Sequence, residues 1–521
     1  MKGPDTSRTF GNFDLWLEDI LAPAGVKDPP TSNYQLCLVV QPCGTADTQK
    51  FYVSMSQLPS LDVEQHASGC IYQTEEEKRQ AITYIRDQAS QLLKQKPAGL
   101  YFPSTGWYKL SDGRSAFCSG NELLPAATED HLPEPCPLLR SRVYLVRQSS
   151  ADINAIACQF CESLWDQPEY RIPAYSYTLF SSLRSRWEEV DLPSGAVLFI
   201  VGKSGTGKTT LAKNFCQVFD YESGGIADYW DAEASQAALT DALYEARDRT
   251  VLYDDICKST TTAEERNRME RAANLLRHVA NGTDRGKKSG LETVRHICRA
   301  GLVITAEKVP TVWSELSRCI LLQVERFQIG GTSMDRELAA GMLRGYLEWF
   351  ARHDDRELEN LRHSKAVFTT DRYPGLTRLY TSMMQLNWCF ESFMRFLETI
   401  PSCRAYIGEQ QNKTAQIYRQ LFEKEVQLIR SMEQSRLPIE KQILIGLQSK
   451  QLPCTMHKES YCIRFDALMA FLRQSMQDPA LSERRISTYL RANQLIDTDA
   501  SQRISKKVDG KRYVFLKPER F

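Results

Sequence analysis

Five short apolar runs stand between residues 195 and 330, and stretches of helical periodicity separate them. That alternation predicts a parallel sheet with crossover helices. Upstream, residues 1–130 alternate β-like runs with turn residues. Tyr34 to Pro42 and Lys50 to Leu58 are rich in β-branched and aromatic residues and predict strands. Thr74 to Gln95 predicts a helix, with Thr74 as cap and an acidic first turn. Gly99 to Leu124 predicts a hairpin that turns at Asp112-Gly113. Residues 131–194 and 331–450 read as mainly helical. Near the C-terminus, Phe465 to Ser475 and Ser482 to Ile496 predict two helices. A hairpin turning at Asp509-Gly510 follows them.

The chain has 521 residues, enough for three or four domains. Hydrophobic residues make up 42% and charged residues 25%, so packed cores are expected rather than disorder. The 65 basic and 65 acidic side chains cancel, which removes any whole-chain basic field. The cancellation is between local fields. Residues 219–248 hold eight acids and one base, whereas Arg277 to Arg299 holds six basic residues against two acidic ones. Residues 501–521 hold seven against two.

Fifteen cysteines are scattered from Cys37 to Cys462, without the dense spacing of a disulfide framework. The N-terminal stretch lacks an apolar core of signal-peptide length, and no apolar run approaches the roughly 18 residues of a spanning helix. A cytoplasmic chain without a membrane partner is the expectation. Cys158 and Cys161 form a Cys-x-x-Cys, but no nearby pair completes a zinc site. They fall in an amphipathic helical stretch and read as small buried hydrophobes.

The strongest chemical signal begins at Ala196, where AVLFIV leads into GKSGTGKT and then TLAKNFCQVF. Gly202, Gly207, Lys208 and Thr209 fit the Walker A pattern, between a buried-type strand and an amphipathic helix. Gly202, Lys203, Ser204, Gly205, Thr206, Gly207, Lys208, Thr209 and Thr210 are the expected binders of ATP. Glycines let the backbone wrap phosphates, and amide N–H groups at a helix N-terminus face the anion. Lys208 supplies a cation to the β- and γ-phosphates, and the Thr209 hydroxyl is a Mg²⁺ ligand.

Asp254 follows Lys208 by 46 positions and ends the apolar run Val251, Leu252, Tyr253. A carboxylate at such a strand end holds Mg²⁺ through its water, and its neighbour can orient or deprotonate an attacking water. Asp254 is assigned to the metal and Asp255 to the water. The spacing leaves room for one extra strand near GGIADYW, a feature of the additional-strand P-loop ATPases. The run AGLVITAEKVP ends in Thr305 and Glu307. Thr305 is the better γ-phosphate sensor; the plain reading is a polar strand end. Arg318 directly precedes a fifth strand, where ring-forming ATPases place an arginine finger worth about 10³ to 10⁵ in rate. A local salt bridge is the other reading of Arg318.

Between Asp255 and Thr305 lies a helix with Met269, Ala272, Ala273, Leu276 and Val279 on one face, then a Gly-rich basic loop. Arg285, Lys287 and Lys288 are placed to grip DNA phosphates from a ring's pore; otherwise they form a solvated basic turn. The C-terminal helix, helix and hairpin have the order of a winged helix. Arg484, Arg485 and Arg491 lie on its presumptive recognition helix. Winged helices also serve protein contacts, so charge alone leaves both open.

Gly106-Trp107 before the hairpin, GKSGTGKTT, the acidic pair after VLY, LLRHVANGTDRGKK and VITAEK together resemble one family. It is the ATPase family called domain of unknown function nine-two-seven, found in replication helicases of bacterial mobile elements. The resemblance covers about residues 100 to 330, and more weakly the C-terminal region. The chain departs from the family in Ile256-Cys257-Lys258 after the second acid. The resemblance implies a ring-forming, ATP-driven DNA-unwinding motor.

The expected fold class is α/β, an AAA+-like additional-strand P-loop ATPase core. The expected domains are 1–130 (α+β), 131–194 (helical connector), 195–330 (core), 331–450 (helical lid and linker) and 451–521 (winged-helix-like). The expected function is a hexameric DNA helicase or replication initiator using ATP and Mg²⁺. The alternative is a DNA-binding or defence-associated ATPase switch that does not unwind. A small-molecule kinase is disfavoured by the acid pair and the C-terminal region.

Overall fold

The computed structural model describes residues 7–518 except 25–29, 96–98, 111–112, 121, 126–133, 136–142, 147–151, 194, 257–261, 283–286, 290–291, 295–297, 311–312, 329–333, 369–372, 374, 408–409, 436, 458, 477, 479–480, 497–504 and 509. The chain forms two compact units. One comprises Met1–Val309 and Arg318–Arg419, the other Pro310–Ser317 and Gln420–Phe521.

The five apolar runs form one parallel sheet in the order Tyr229–Trp230, Thr250–Tyr253, Gly301–Ala306, Val197–Val201, Cys319–Gln323. The three central strands are buried without alternation, as in a sheet covered on both faces. Helices Pro168–Ser182, Lys208–Phe215 and Thr262–Asn281 pack against it. The strand Gly301–Ala306 lies between the glycine-loop strand and the acidic strand, so the two motifs face each other across it. The strand near GGIADYW is present at the far edge beside the acidic strand, so the strand standing between the two motif strands is Gly301–Ala306 instead.

The N-terminal sheet runs Gln49–Ser54, Gln35–Pro42, Phe13–Pro23, Gly99–Phe102, Glu134–Pro135, with Arg8–Phe10 paired to Phe13–Pro23. Helix Glu75–Gln95 covers one face, burying Ala81, Ile85 and Ala89 against Phe13, Leu15, Leu36 and Leu38. Two side chains cap it. Thr74 Oγ1 accepts the N–H of Glu77 at 3.1 Å, and Glu77 accepts the N–H of Gln73 at 2.7 Å. The strand Phe13–Pro23 is an addition to the sequence reading, and its alternating burial fits a half-buried strand. Two expectations change. Gly99–Phe102 joins this sheet in parallel, so the hairpin starts at Gly106–Lys109, which pairs with Ser115–Ser119. The second run ends at Ser54 rather than Leu58.

In the connector, short strands come first. Val143–Leu145 pairs antiparallel with Phe219–Tyr221, and helices begin only at Ile153–Asp166. Cys161 is buried on that helix, its Sγ 3.9 Å from Cys403 Sγ. After the core come helices Met334–Arg352, Asp354–Phe368 and Thr377–Glu398.

In the second unit, a sheet runs Thr455–His457, Ser460–Arg464, Lys511–Leu516, Lys506–Val508. Helices Ile439–Gln448, Phe465–Ser475 and Glu483–Ala492 close its core through Ile443, Leu468, Leu472, Ile486 and Leu490. The two expected helices and the hairpin strands are present. The first helix falls in the stretch 331–450 that reads as helical but packs into this core, and the first two strands add to what the sequence pattern predicts. Asp112 and Asp509, expected at the two turns, lie outside the described residues; Gly113 and Gly510 beside them have φ of 83° and 76°.

Candidate nucleotide site

The strand Val197–Val201 delivers the chain into the glycine loop, and helix Lys208–Phe215 leaves it. Gly207 caps this helix at φ 91°, and Gly205 has φ 76°, a region other residues enter at a cost. At Gly202 the constraint is space: a Cβ there would meet the Val324 carbonyl oxygen at 2.2 Å. The loop is braced by Thr206, whose hydroxyl donates to the Lys203 carbonyl at 2.9 Å and whose carbonyl accepts the N–H of Phe327 at 2.8 Å. Lys208 is buried, and its Nζ donates to the same Lys203 carbonyl at 2.9 Å, which places the ammonium over the loop. Lys203, Ser204 and Gly205 are exposed at the mouth, and Thr209 and Thr210 are half-buried on the first helical turn.

Asp254, at the end of the acidic strand, is buried, and three hydroxyls converge on it. Oδ1 accepts from Thr209 Oγ1 at 2.9 Å and from Thr305 Oγ1 at 2.5 Å; Oδ2 accepts from the Tyr229 hydroxyl at 3.1 Å. Asp255 is half-buried at φ 53°, and its N–H donates to Thr305 Oγ1 at 2.8 Å. Thr305 therefore touches both acids, whereas Glu307 is exposed. The close-packed loop, the Thr209 hydroxyl and the adjacent carboxylate fit a magnesium nucleotide. Thr209 gives its single hydrogen to Asp254, which leaves its lone pairs for a cation.

Arg318 is not part of this cluster. Its carbonyl accepts the N–H of Val197 at 3.1 Å, at the start of the loop strand, and the loop follows the strand's other end. Five residues at about 3.3 Å each separate the two ends.

The basic segment is not wholly a loop. Lys287–Ser289 pairs antiparallel with Glu292–Val294, which makes a small hairpin beyond helix Thr262–Asn281. Arg285 lies outside the described residues. The helix buries Ala272, Leu276 and Val279 as expected, but Met269 and Ala273 are only half-buried, and Arg268 and Leu275 are buried in addition. In the second unit, Arg484, Arg485 and Arg491 are all exposed on helix Glu483–Ala492, and Arg485 pairs with Asp478 at 3.5 Å.

Two features of the site escape the sequence pattern. Burial, and then the charge of Asp254, pushes the Tyr229 phenol up to about 12. It therefore stays a proton donor near neutral pH. The other is Asp248, fully buried at φ 54° just before the acidic strand. It accepts from Trp107 N at 3.0 Å, Ser185 N at 2.8 Å and Ser185 Oγ at 2.7 Å. A Cβ on Gly106 would meet its Oδ2 at 2.5 Å. The Gly106-Trp107 pair thus fastens the hairpin to the core.

A sequence profile described as ABC transporter matches residues 188–295, the stretch holding the loop and the acidic pair. No curated protein matches the chain. Among solved structures, SCCmec type IV Cch, described as an active helicase, aligns over 97% of this chain and 93% of its own. The identity is 13% and the TM-score 0.53. The A form apo structure of the NrS-1 C-terminal region aligns over 92% of this chain and 94% of its own, with 12% identity and a TM-score of 0.29. The likeness to Cch is one of fold. Fold, loop and profile define the class: the chain carries a P-loop ATPase domain on a parallel α/β sheet. Among the described residues, no helix is long and apolar enough to cross a membrane.

Proposed function

We propose that this chain is an ATP-dependent DNA helicase or replication initiator of a mobile genetic element, working as a hexameric ring. The observation that carries the reading is the fold likeness to an active helicase over nearly the whole chain, at TM-score 0.53. The strand order supports an AAA+-type, additional-strand core, because a strand stands between the loop strand and the acidic strand. The family resemblance, to domain of unknown function nine-two-seven, adds the mobile-element setting.

In this reading the loop's N–H groups and Lys208 bind the ATP phosphates. Thr209, and Asp254 through water, hold magnesium, which when bound neutralises developing charge on the phosphates. Asp255 orients the attacking water, and Thr305 couples the two acids to the γ-phosphate. Arg318 lies about a strand's length from its own loop, so it serves a neighbouring protomer's nucleotide. The hairpin from Lys287, with Arg285 and Lys288, holds a single DNA strand in the pore by its phosphates. The second unit acts as a winged helix, with Arg484, Arg485 and Arg491 facing duplex DNA.

Strand displacement measured alongside DNA-stimulated ATPase tests this. A helicase displaces a strand at a rate that follows ATP turnover, and electron micrographs with an ATP analogue and single-stranded DNA show rings. DNA-stimulated turnover without displacement would favour the ATPase switch.

A further inference from the structure

The Asp254 carboxylate turns easily about its soft second side-chain torsion, so something must hold its plane with one oxygen on Thr209. In this fold a side chain from the sheet's edge strand does so. Tyr229 stands in register with Leu252 on the neighbouring strand, and the Asp254 N–H donates to the Trp230 carbonyl at 2.8 Å. The two backbones are therefore locked beside each other. The Tyr229 hydroxyl then reaches Asp254 Oδ2 at 3.1 Å, while Oδ1 holds Thr209 and Thr305.

The ring is fixed from its other side. Lys213 Nζ lies 4.1 Å from the Tyr229 ring centroid, a cation–π contact. Lys213 is four residues beyond Thr209 on helix Lys208–Phe215, hence on the same helical face. One helix thus presents the hydroxyl that Asp254 orients and the cation that holds Tyr229.

We infer that Tyr229 is a positioning residue for the metal half of the site. By occupying Asp254 Oδ2 it keeps Oδ1 on Thr209, so that the Thr209 lone pairs stay aimed at the cation. Outer partners of metal ligands act in this way, and their loss lowers metal affinity about 10- to 100-fold. The inference rests on the magnesium-nucleotide reading of the loop.

The test is Tyr229→Phe in the full chain, which deletes one hydroxyl and keeps the ring. Binding of a fluorescent ATP analogue is titrated against Mg²⁺, with Mn²⁺ binding followed by electron paramagnetic resonance. The half-saturating metal concentration should rise about tenfold or more, with analogue affinity in EDTA within about twofold of wild type. Lys213→Gln should shift the metal dependence in the same direction by less, and it decides the matter if Tyr229→Phe does not fold. Metal dependence within about twofold of wild type in folded variants would overturn the inference. Failure of the wild-type chain to bind the magnesium analogue, or equal binding by Lys208→Ala, would instead sink the loop reading beneath it.

Discussion

Thr305 donates its hydroxyl to Asp254 Oδ1 at 2.5 Å, from one strand of the parallel sheet to the next. Thr305 Oγ1 in turn accepts the N–H of Asp255. One buried hydroxyl therefore links both acids, beside the Thr209 and Tyr229 hydroxyls that also hold Asp254. Thr305→Val keeps the shape and removes that hydroxyl. Turnover should fall about 10- to 100-fold, the range for lost outer-shell partners, with nucleotide affinity changed less than about threefold. Steady-state ATPase and equilibrium binding of an ATP analogue check the two halves separately.

Arg318 sits at the start of its strand, away from its own loop. If it completes a neighbour's site, Arg318→Ala and Lys208→Ala should each lose ATPase, by about 10³-fold or more for the arginine. Mixing the two variants should restore part of the turnover, since some interfaces then pair an intact loop with an intact arginine. Titrating one variant against the other measures this; no recovery at any ratio speaks against action in trans.

How far these features are legible in the sequence depends on chain distance. The glycine loop is one contiguous segment whose spacing encodes its geometry, and its strand and helix are where the pattern puts them. The acidic pair is legible because it ends an apolar run. Tyr229 is not, since its bond to Asp254 spans 25 positions and a tyrosine in a short strand reads as packing. Trp107 and Asp248 are 141 positions apart, and only the fold brings them together. The strand Phe13–Pro23 is a different case. Its burial alternates from Phe13 to Leu17, but the apolar Trp16 hides that period in the sequence, and the acids Glu18 and Asp19 and a register shift interrupt it. The basic loop hides a hairpin because each strand has only three residues.

The Asp248 carboxylate gives a stability prediction. Asp248→Ala strands the N–H groups of Trp107 and Ser185 in a buried site, at about 1–3 kcal/mol for each unsatisfied group. The variant should lose about 3–5 kcal/mol, the range for breaking a buried charged cluster. Asp248→Asn tolerates the positive φ and keeps one acceptor, so it should lose less. Urea unfolding followed by tryptophan fluorescence reads the difference, because Trp107 lies at the joint.

The basic residues predict a salt dependence. Lys287→Ala with Lys288→Ala should abolish strand displacement while leaving ATPase without DNA within about twofold, a rough bound for positions away from the nucleotide loop. Arg484→Ala, Arg485→Ala and Arg491→Ala together should flatten the logarithmic salt slope of duplex binding by about 2 to 3, since each phosphate a cation neutralises adds close to one to that slope. Fluorescence anisotropy across a range of salt concentrations measures it; an unchanged slope would remove these arginines from the interface.

If ATP hydrolysis at the loop Gly202 to Thr209 drives strand separation, one lysine should control both. Wild type and Lys208→Ala are compared in a single reaction that follows ATP turnover and displacement of a labelled strand together. Wild type should do both and Lys208→Ala neither. Normal turnover or displacement by Lys208→Ala would refute the coupling of this loop to unwinding.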